Sequence, residues 1–436
     1  MKFVEYLRRR EWPMVVGYGL FVTLLAAGYY YNITFVQLGL IDLGTRLVGL
    51  SGTAVSTWMG ALALLTFASA VVTGVLMDRR GWSTDLRTKF RLLFGVVVVQ
   101  LALTVVAPGI RSVTGFGTWI VAASLSMGVG FPVTFALTID FVPVRDRGYV
   151  AAAATALAYF AGNVYPLEWA IGTFSLVMTA AMLPGALVLG VLAFTRIGFV
   201  EAMADNHREF GVGRFCRQGP VRTRGFAFLG AVGLMFGVFF VDSLGFLRII
   251  EEPAYILSAW QSPSFGTHLW LGTVHVIGAV VGGVLYRNFD RRWLFLWVFG
   301  LFGFTHLLYT FDLRVTQLAP GAGVGADPRA PPLLNPSFYA LTVSLYTTLN
   351  FALWPDFATP ETIGTRSAIG VGLAGFLSTF LSTAVALSFE EADVGLLSHL
   401  NVVNALALLL FFGLIVSLYA RGLWRAKRVY DGSDRT

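Results

Sequence analysis

Long apolar runs, separated by short polar segments, recur along the whole 436-residue chain. A helix that crosses a bilayer needs about 20 predominantly apolar residues, and the longer runs reach that length. Because the runs end at charged residues, glycine or proline, they predict separate membrane-spanning helices. The pattern predicts twelve spans, at 13–38, 52–77, 90–108, 116–141, 148–171, 174–196, 225–247, 268–287, 293–311, 335–355, 365–389 and 398–420.

The first run follows a basic segment that contains Lys2, Arg8, Arg9 and Arg10. A signal peptide also begins with basic residues, but its apolar core is shorter and ends at a cleavage site of small residues. The run at 13–38 is too long for such a core and lacks a convincing cleavage site. We therefore interpret it as a retained first span.

Composition agrees with this pattern. The chain is 56% hydrophobic and 13% charged, and its mean hydropathy is +0.72. Soluble domains average about 45 to 50% apolar and about 25% charged residues, so soluble enzymes of ordinary composition and disordered chains are excluded. The single cysteine, Cys216, excludes an intramolecular disulfide and a zinc site of several cysteines. The sequence predicts an all-α polytopic membrane protein.

The 31 Lys and Arg residues are divided unevenly between alternate polar segments. If the N-terminus is cytoplasmic, 26 of them fall on the inner side and five on the outer side. The positive-inside rule gives this asymmetry for an even number of spans with both ends in the cytoplasm. We therefore expect a multi-pass protein of the cytoplasmic membrane, and the net charge of +7 requires no nucleic-acid partner. The outer basic residues are Arg46, Arg111, Arg248, Arg314 and Arg329.

A long polar and basic segment at 197–224 divides the chain almost in half. A charge run of this kind is usually a solvated linker beside the anionic inner leaflet, and a regulatory site is the alternative. The sequence predicts an N-terminal six-helix half at 1–196, a cytoplasmic central loop at 197–224 and a C-terminal six-helix half at 225–436.

The two halves share short sequence patterns at matching places. Gly74 opens a basic turn after the second span, and Gly283 opens one after the eighth span. Asp140 follows the fourth span, and Asp356 follows the tenth span. We call the separation of the two glycines the glycine offset and that of the two aspartates the aspartate offset. The two offsets are nearly equal, which indicates an internal repeat, and in transporters such a repeat often places the substrate between the halves.

The six-plus-six spans, the central loop and the first of these turns resemble the major facilitator superfamily. The motif G-x-L-x-D-R-x-G of that superfamily is matched by Gly74, Leu76, Asp78, Arg79 and Gly81. The basic pair that commonly follows is replaced by Trp82 and Ser83, and the second copy has Arg287 in place of Asp78. The resemblance implies twelve transmembrane helices in two six-helix pseudo-repeats that rock about a midplane cavity, giving alternating access.

Charged and glycine residues at the inner turns are candidates for an inner gate. Gly74 allows two helices to approach closely, and Asp78 is placed to receive a helix N-terminus. Arg79, Arg80 and Arg147 are candidate partners for Asp78 or Asp140. The alternative is that these charges only anchor the turns and fix the topology. The candidate gate residues are Gly74, Asp78, Arg79, Gly81, Asp140, Arg147, Gly283, Asp290, Arg291, Asp356 and Arg366.

Polar residues within the spans are candidates for the cavity because ionisable and amide groups are costly in a membrane. Asp242 lies in Phe-Val-Asp-Ser-Leu-Gly, which is similar to an acid motif of drug/proton antiporters; a helix–helix hydrogen bond is the alternative. Asn32 is its counterpart in the first span, and Gln37 on another face is the alternative to Asn32. Glu168 is a candidate for the outer vestibule. The main candidates are Tyr29, Asn32, Asn163, Asp242, His275 and Asn350.

The chain lacks the phosphate loop of ATP-driven pumps and the H-E-x-x-H and G-x-S-x-G motifs of hydrolases. We therefore expect no enzyme activity and no cofactor. Spans four and five also lack the signatures of the superfamily's antiporters, which argues against proton-coupled drug export. Because the spans contain no lysine and no central arginine, a multiply charged anion is a poor substrate.

The interpretation is a secondary active or facilitative transporter, expected to be a monomer, that moves a small neutral or cationic organic solute. Proton coupling through Asp242 is left open. The alternative is a non-transporting protein of the same fold that serves as an assembly factor or sensor, and lipid flipping is a third hypothesis.

Overall fold

The computed structural model describes residues 2–165, 170–198, 200–202, 221–251, 262–289, 291–318 and 333–433. None of these residues lies in a β-strand. A short helix, α1, precedes the first long one. The helices are α1 (Lys2–Arg8), α2 (Trp12–Leu47), α3 (Gly52–Arg79), α4 (Leu86–Val106), α5 (Val113–Phe141), α6 (Arg147–Val164), α7 (Ile171–Phe194), α8 (Val221–Glu251), α9 (Phe265–Asn288), α10 (Arg291–Leu318), α11 (Leu334–Leu353), α12 (Ile363–Glu391) and α13 (Leu396–Ser433).

The helices α2 to α13 correspond to the twelve predicted spans, so the predicted all-α polytopic membrane fold is confirmed. In the part of the chain that the structure describes, ten helices are long and apolar enough to cross a membrane by length and composition. The other two, α6 and α11, are more polar. In α11, 16 of the 20 residues are buried, so its threonines and asparagines face protein instead of lipid. The division of the chain into halves at 197–224 stays a prediction, since most of that loop lies outside the described residues.

Several helix ends differ from the predicted spans. The first span is longer than predicted and contains π-helical turns at Asn32–Leu38 and Leu43–Leu47. Insertions of this kind keep a helix continuous while changing which side chains share a face. The fifth span is shorter than predicted: α6 ends at Val164, and Tyr165 is extended. The sequence explains this end, because Pro166 disfavours a helical conformation of the residue before it.

The two halves meet through a small set of helices. In the first half, α3, α5 and α6 make these contacts, and in the second half α9, α11 and α12 do. The most extensive pairings are α6 with α9 and α3 with α12. Because α3 and α9 are repeat counterparts, as are α6 and α12, each half uses the same two helices to bind the other.

Helix α1 is attached to the turn before α6. The carboxylate of Asp146, which is 1% exposed, accepts hydrogen bonds from the backbone amides of Lys2 at 2.7 Å and Phe3 at 3.4 Å, and from the hydroxyl of Tyr18 at 3.1 Å. The N-terminus of α1 and the turn that precedes Arg147 are therefore held together. We call this end of the bundle, where α3 ends and α6 and α12 begin, the charged end.

Candidate functional site

At the charged end, Asp78 joins the two halves through backbone atoms. Its Oδ1 accepts a hydrogen bond from the amide of Gly364 at 3.0 Å, and its Oδ2 accepts one from the amide of Thr365 at 2.7 Å. These amides belong to the first turn of α12, whose N-terminus favours a carboxylate. The hydroxyl of Ser83 also donates to Oδ1 at 2.6 Å. The carboxylate of Asp78 therefore lies at a helix N-terminus. Among the described residues it forms no ion pair with a candidate arginine.

A buried ion pair also joins the halves at this end. The guanidinium of Arg147 in α6 donates to Oδ1 of Asp356, and both side chains are fully buried. The hydroxyl of Tyr286 in α9 donates to the other oxygen of Asp356 at 2.7 Å and to the carbonyl of Ala352 at 3.0 Å. Charges in this setting are stable only when they are paired and hydrogen-bonded.

Asp140 has a lysine partner that the sequence did not suggest. Lys89 in α4, which is fully buried, donates to Oδ2 of Asp140 at 2.5 Å, so this pair lies within the first half. The sequence had placed Lys89 before the third span, at 90–108. Because α4 begins at Leu86, the lysine lies inside the helix, and the expectation that the spans contain no lysine is corrected.

Close helix crossings accompany these polar contacts. A Cβ atom on Gly74 would lie 2.5 Å from the carbonyl oxygen of Gly364, and one on Gly283 would lie 2.6 Å from that of Gly148. Both pairs cross between halves, one through α3 and α12 and the other through α9 and α6. Only glycine permits backbones to approach this closely.

The other gate candidates have varied positions. Arg79 is exposed, and Gly81 has a φ of +71°, which glycine adopts without strain. Arg366 donates to the carbonyl of Phe357 at 2.6 Å and lies over the ring of Phe228 at 5.3 Å, so it is held within the second half. Asp290 lies outside the described residues. Arg291 begins α10, and its side chain lies outside the description.

A cavity lies between the halves and measures about 800 Å³ with its open mouth included. Its wall is mostly apolar and aromatic, and its polar groups come from both halves. The lining residues are Tyr29, Asn32, Val36, Leu40, Met59, Leu62, Ala63, Phe131, Phe239, Asn350, Phe351, Val371, Gly375, Phe376 and Thr379.

Three of the six main cavity candidates line this space, namely Tyr29, Asn32 and Asn350. Asn350 is positioned by Trp354, whose indole N–H donates to its Oδ1 at 2.8 Å. This bond leaves the amide N–H groups of Asn350 to donate elsewhere. The side chain of Gln37, the alternative to Asn32, lies outside the description.

Asp242 is buried beside the cavity and is not a lining residue. One carboxylate oxygen accepts a hydrogen bond from the hydroxyl of Tyr339, and the other accepts one from Tyr346 at 2.6 Å. The ring of Tyr346 packs edge-on against Phe239, which lines the cavity, with ring centroids 4.9 Å apart. No described lysine, arginine or histidine forms an ion pair with Asp242.

The remaining candidates surround Tyr159 of α6. His275 stacks on its ring with centroids 4.5 Å apart, and a ring nitrogen of His275 lies 2.7 Å from the hydroxyl of Ser344. The Tyr159 hydroxyl is 2.8 Å from that of Tyr29 and 3.2 Å from that of Thr347 in α11. Asn163 donates to the carbonyl of Tyr159 at 2.8 Å and does not line the cavity, and Glu168 lies outside the described residues. This cluster joins the halves beside the cavity.

Four tyrosines in these contacts were missed from the sequence, namely Tyr159, Tyr286, Tyr339 and Tyr346. In the sequence they are ordinary aromatic residues of predicted membrane-spanning helices. One signal was available: in α11, Tyr339 and Tyr346 are seven residues apart, which places them on one helix face. Their shared partner on α8 is 97 and 104 residues away, so nothing in the local pattern points to it.

No protein-family model and no curated protein matches the sequence. Solved structures of transporters match it over most of their length. The xylose transporter XylE from E. coli, in a partially occluded inward-open conformation, has a TM-score of 0.59 at 16% identity over 92% of this chain and 97% of that chain. The proton:xylose symporter XylE bound to 6-bromo-6-deoxy-D-glucose has a TM-score of 0.57 at 14% identity over 91% and 94%.

The human organic anion transporter MFSD10 has a TM-score of 0.56 at 17% identity over 92% of this chain and 98% of its own. At these identities the similarity concerns the fold. Two six-helix halves, paired glycine crossings at one end and a cavity between the halves agree with it. The chain therefore has the fold of the major facilitator superfamily.

Proposed function

We propose that the protein transports a small neutral or cationic organic solute across the cytoplasmic membrane by alternating access. The observation that carries the proposal is a cavity between the halves whose charged end is closed by contacts between them. Asp78 and Arg147 make those contacts with the opposite half. Contacts of this kind exist in one state of a rocking bundle and are lost in the other, so they bias the equilibrium between states.

The cavity chemistry supports the substrate class. Its polar lining consists of amides and hydroxyls, from Asn32, Asn350, Tyr29 and Thr379, and no charged residue is among the described lining. Amides and hydroxyls donate and accept hydrogen bonds with neutral polar solutes. Aromatic walls also attract organic cations. An organic anion, as in the name of MFSD10, would find no cation among the described lining residues, whereas a sugar, as in the XylE structure, would find suitable partners.

The test is a thermal-unfolding screen of the purified protein with D-xylose, D-glucose, tetraethylammonium and succinate as probes of the three charge classes. A ligand of the native state at 100 times its Kd stabilises that state by about 2.7 kcal/mol. We expect a neutral or cationic probe to raise Tm, and Asn350→Ala to remove most of the rise.

The matched control is Asn401→Ala, which changes an exposed asparagine of α13. Stabilisation by succinate alone would contradict the substrate class. If no probe changes Tm and one protein co-purifies, the result would favour the alternative that the protein is a non-transporting assembly factor or sensor.

Asp242 is the proposed proton-coupling residue. A buried carboxylate that faces two tyrosine hydroxyls and no described cation is costly unless it holds a proton or meets a cation. We expect wild-type transport of the solute identified above to change between about pH 5 and about pH 8, a range into which buried carboxyl groups titrate. Asp242→Asn, which keeps the shape without the titration, is expected to remove that dependence.

The control for this prediction is Asp312→Asn, because Asp312 is a half-buried carboxylate of the same half that accepts a hydrogen bond from Asn335. Flux into liposomes is measured for both variants at each pH. Full pH dependence in Asp242→Asn would exclude Asp242 as the proton site and leave facilitated transport.

A further inference from the structure

Because of the internal repeat, the contact of α3 with α12 at the charged end has a counterpart in the contact of α9 with α6. We call these two contacts the first corner and the second corner. The first corner holds a carboxylate. At the first corner, the carboxylate of Asp78 lies on the first turn of α12 and binds the amides of Gly364 and Thr365. Glu361, which is exposed, precedes that turn. This corner joins α3 of the first half to α12 of the second and carries two acidic side chains.

The second corner has the opposite charge. Arg287 follows Asp78 by the glycine offset, so it is the repeat counterpart of Asp78. Arg145 precedes Glu361 by the aspartate offset, so it is the repeat counterpart of Glu361. Arg287 lies at the end of α9 in the second half, and Arg145 lies in the turn before α6 in the first half. Two arginines from opposite halves therefore stand where the first corner has two carboxylates.

A pocket fills the second corner. It measures about 620 Å³ with its open mouth included, and it is lined by Val144, Arg145, Gly148, Tyr286 and Arg287. Gly148 and Tyr286 form contacts that close the charged end, so the pocket lies directly on the gate. Arg287 is positioned over the ring of Tyr149 at 5.1 Å.

The charge in this pocket is not balanced by the described protein. No acidic residue is among its described lining, and neither arginine forms an ion pair with a described carboxylate. Two described carboxylates at this end are bound elsewhere: Asp146 accepts from the amides of α1, and Asp356 pairs with Arg147. Asp290, the carboxylate nearest in sequence to Arg287, lies outside the described residues. Closure of the gate thus brings two positive charges of opposite halves to one pocket, which by itself opposes closure.

We infer that this pocket binds a phosphate group, and that the bound phosphate bridges Arg145 and Arg287 across the two halves. Guanidinium groups bind phosphate oxygens in a bidentate geometry, and an anion between two cations replaces their repulsion with two attractions. The phosphate supplies at the second corner the negative charge that the carboxylate of Asp78 supplies at the first. The source is an anionic phospholipid headgroup or free phosphate, since basic pockets between helices bind lipid headgroups.

The inference includes a conformational consequence. Both arginines line the pocket only while α6 and α9 are in contact, so the phosphate binds the closed charged end more tightly than the open one. A ligand with such a preference stabilises the state that it prefers. Binding itself does not depend on whether the protein transports a solute, so failure of the proposed function leaves this test intact.

The experiment measures thermal stability of delipidated full-length protein in detergent after addition of phosphatidylglycerol, phosphatidylcholine or inorganic phosphate. We expect phosphatidylglycerol, which carries a net negative charge, to raise Tm above phosphatidylcholine. Inorganic phosphate that gives the same rise would identify free phosphate as the source, and a rise with the lipid alone would identify the headgroup. No difference among the three additions would overturn the inference.

Variants locate the effect. Arg145→Gln and Arg287→Gln are each expected to weaken the apparent affinity for phosphatidylglycerol by about tenfold, and the double variant by little more, because removing either arginine breaks the bridge. Replacement of both by lysine keeps the charge and loses the bidentate geometry, so partial binding is expected. The control, Arg8→Gln with Arg80→Gln, removes two exposed arginines of the same end that do not line the pocket. Equal losses in this control would mean nonspecific attraction and would contradict a built site.

Discussion

Replacement of Arg147 by glutamine is expected to destabilise the protein by about 3 to 5 kcal/mol, the cost of leaving one member of a buried ion pair without its partner. The side chain of Asp356 is fully buried and would keep the hydrogen bond from Tyr286 at 2.7 Å, but it would lose the guanidinium. Because the pair joins α6 to the turn after α11, the loss falls on the state in which the charged end is closed. Chemical unfolding in mixed micelles measures the change in stability.

A double variant distinguishes a gate from an anchor. In Arg147→Gln with Asp356→Asn, the buried charges are gone and two amides can still form a hydrogen bond, so we expect most of the lost stability to return. If the pair is a gate, transport stays altered in this variant, because closure no longer depends on an ion pair. If the pair only anchors turns, transport returns together with stability. A double variant that stays as unstable as the single one would contradict the cost assigned to loss of the guanidinium beside Asp356.

The fold could be predicted from the sequence because a membrane constrains it so strongly. Backbone N–H and C=O groups in lipid must form their hydrogen bonds within each segment, so long apolar runs predict helices directly. The polar helix α11 was also predicted, at 335–355, because its sequence still forms an apolar run between polar segments. Its 16 buried residues explain why its own hydropathy falls short. The apolar runs did not predict the exact ends of the helices, because helices such as α13 continue past the apolar stretch.

Candidate residues of the site could be selected from the sequence, but the contacts between them could not. Asp78 and Asp242 stand out in the sequence because a charge in an apolar context is costly. Their partners do not: Thr365 is 287 residues from Asp78, and Tyr346 is 104 residues from Asp242. Tyrosine suits apolar helices in any case, so its role as a donor to a buried carboxylate leaves no mark on hydropathy. Lys89 was missed for a related reason, since a lysine at the end of a run is normally read as its boundary.

The internal repeat relates the two glycine crossings to each other. The glycine offset and the aspartate offset, both read from the sequence, also relate the two glycine crossings. Gly74 contacts Gly364, and its counterpart Gly283 contacts Gly148. The aspartate offset relates Gly148 to Gly364, so the two crossings are the same contact made once by each half. The sequence showed each glycine within its own motif, but the exchange of partners between halves required the structure.

Replacement of Gly283 by alanine is expected to move the equilibrium toward an open charged end. The new Cβ would lie 2.6 Å from the carbonyl oxygen of Gly148 and 2.7 Å from the Cβ of Ala152, so α6 and α9 must separate at that point. Overpacking of this kind typically costs about 1 to 3 kcal/mol. Since the cost applies only where the helices touch, the population ratio of open to closed states should rise by about 5-fold to 150-fold.

The measurement is the rate at which a water-soluble thiol reagent modifies Ser367→Cys in a Cys216→Ser background. Ser367 lies one turn into α12 and is 1% exposed, so its labelling reports opening of the charged end. The control is Gly266→Ala on the same helix as Gly283, where a Cβ meets only the hydroxyl of Ser264 at 3.6 Å. Alanine there should leave labelling unchanged, because its Cβ meets no atom of the other half within 4 Å. Faster labelling in Gly283→Ala alone would assign the glycine crossing to the gate, whereas equal labelling in both variants would show that the crossing does not control access.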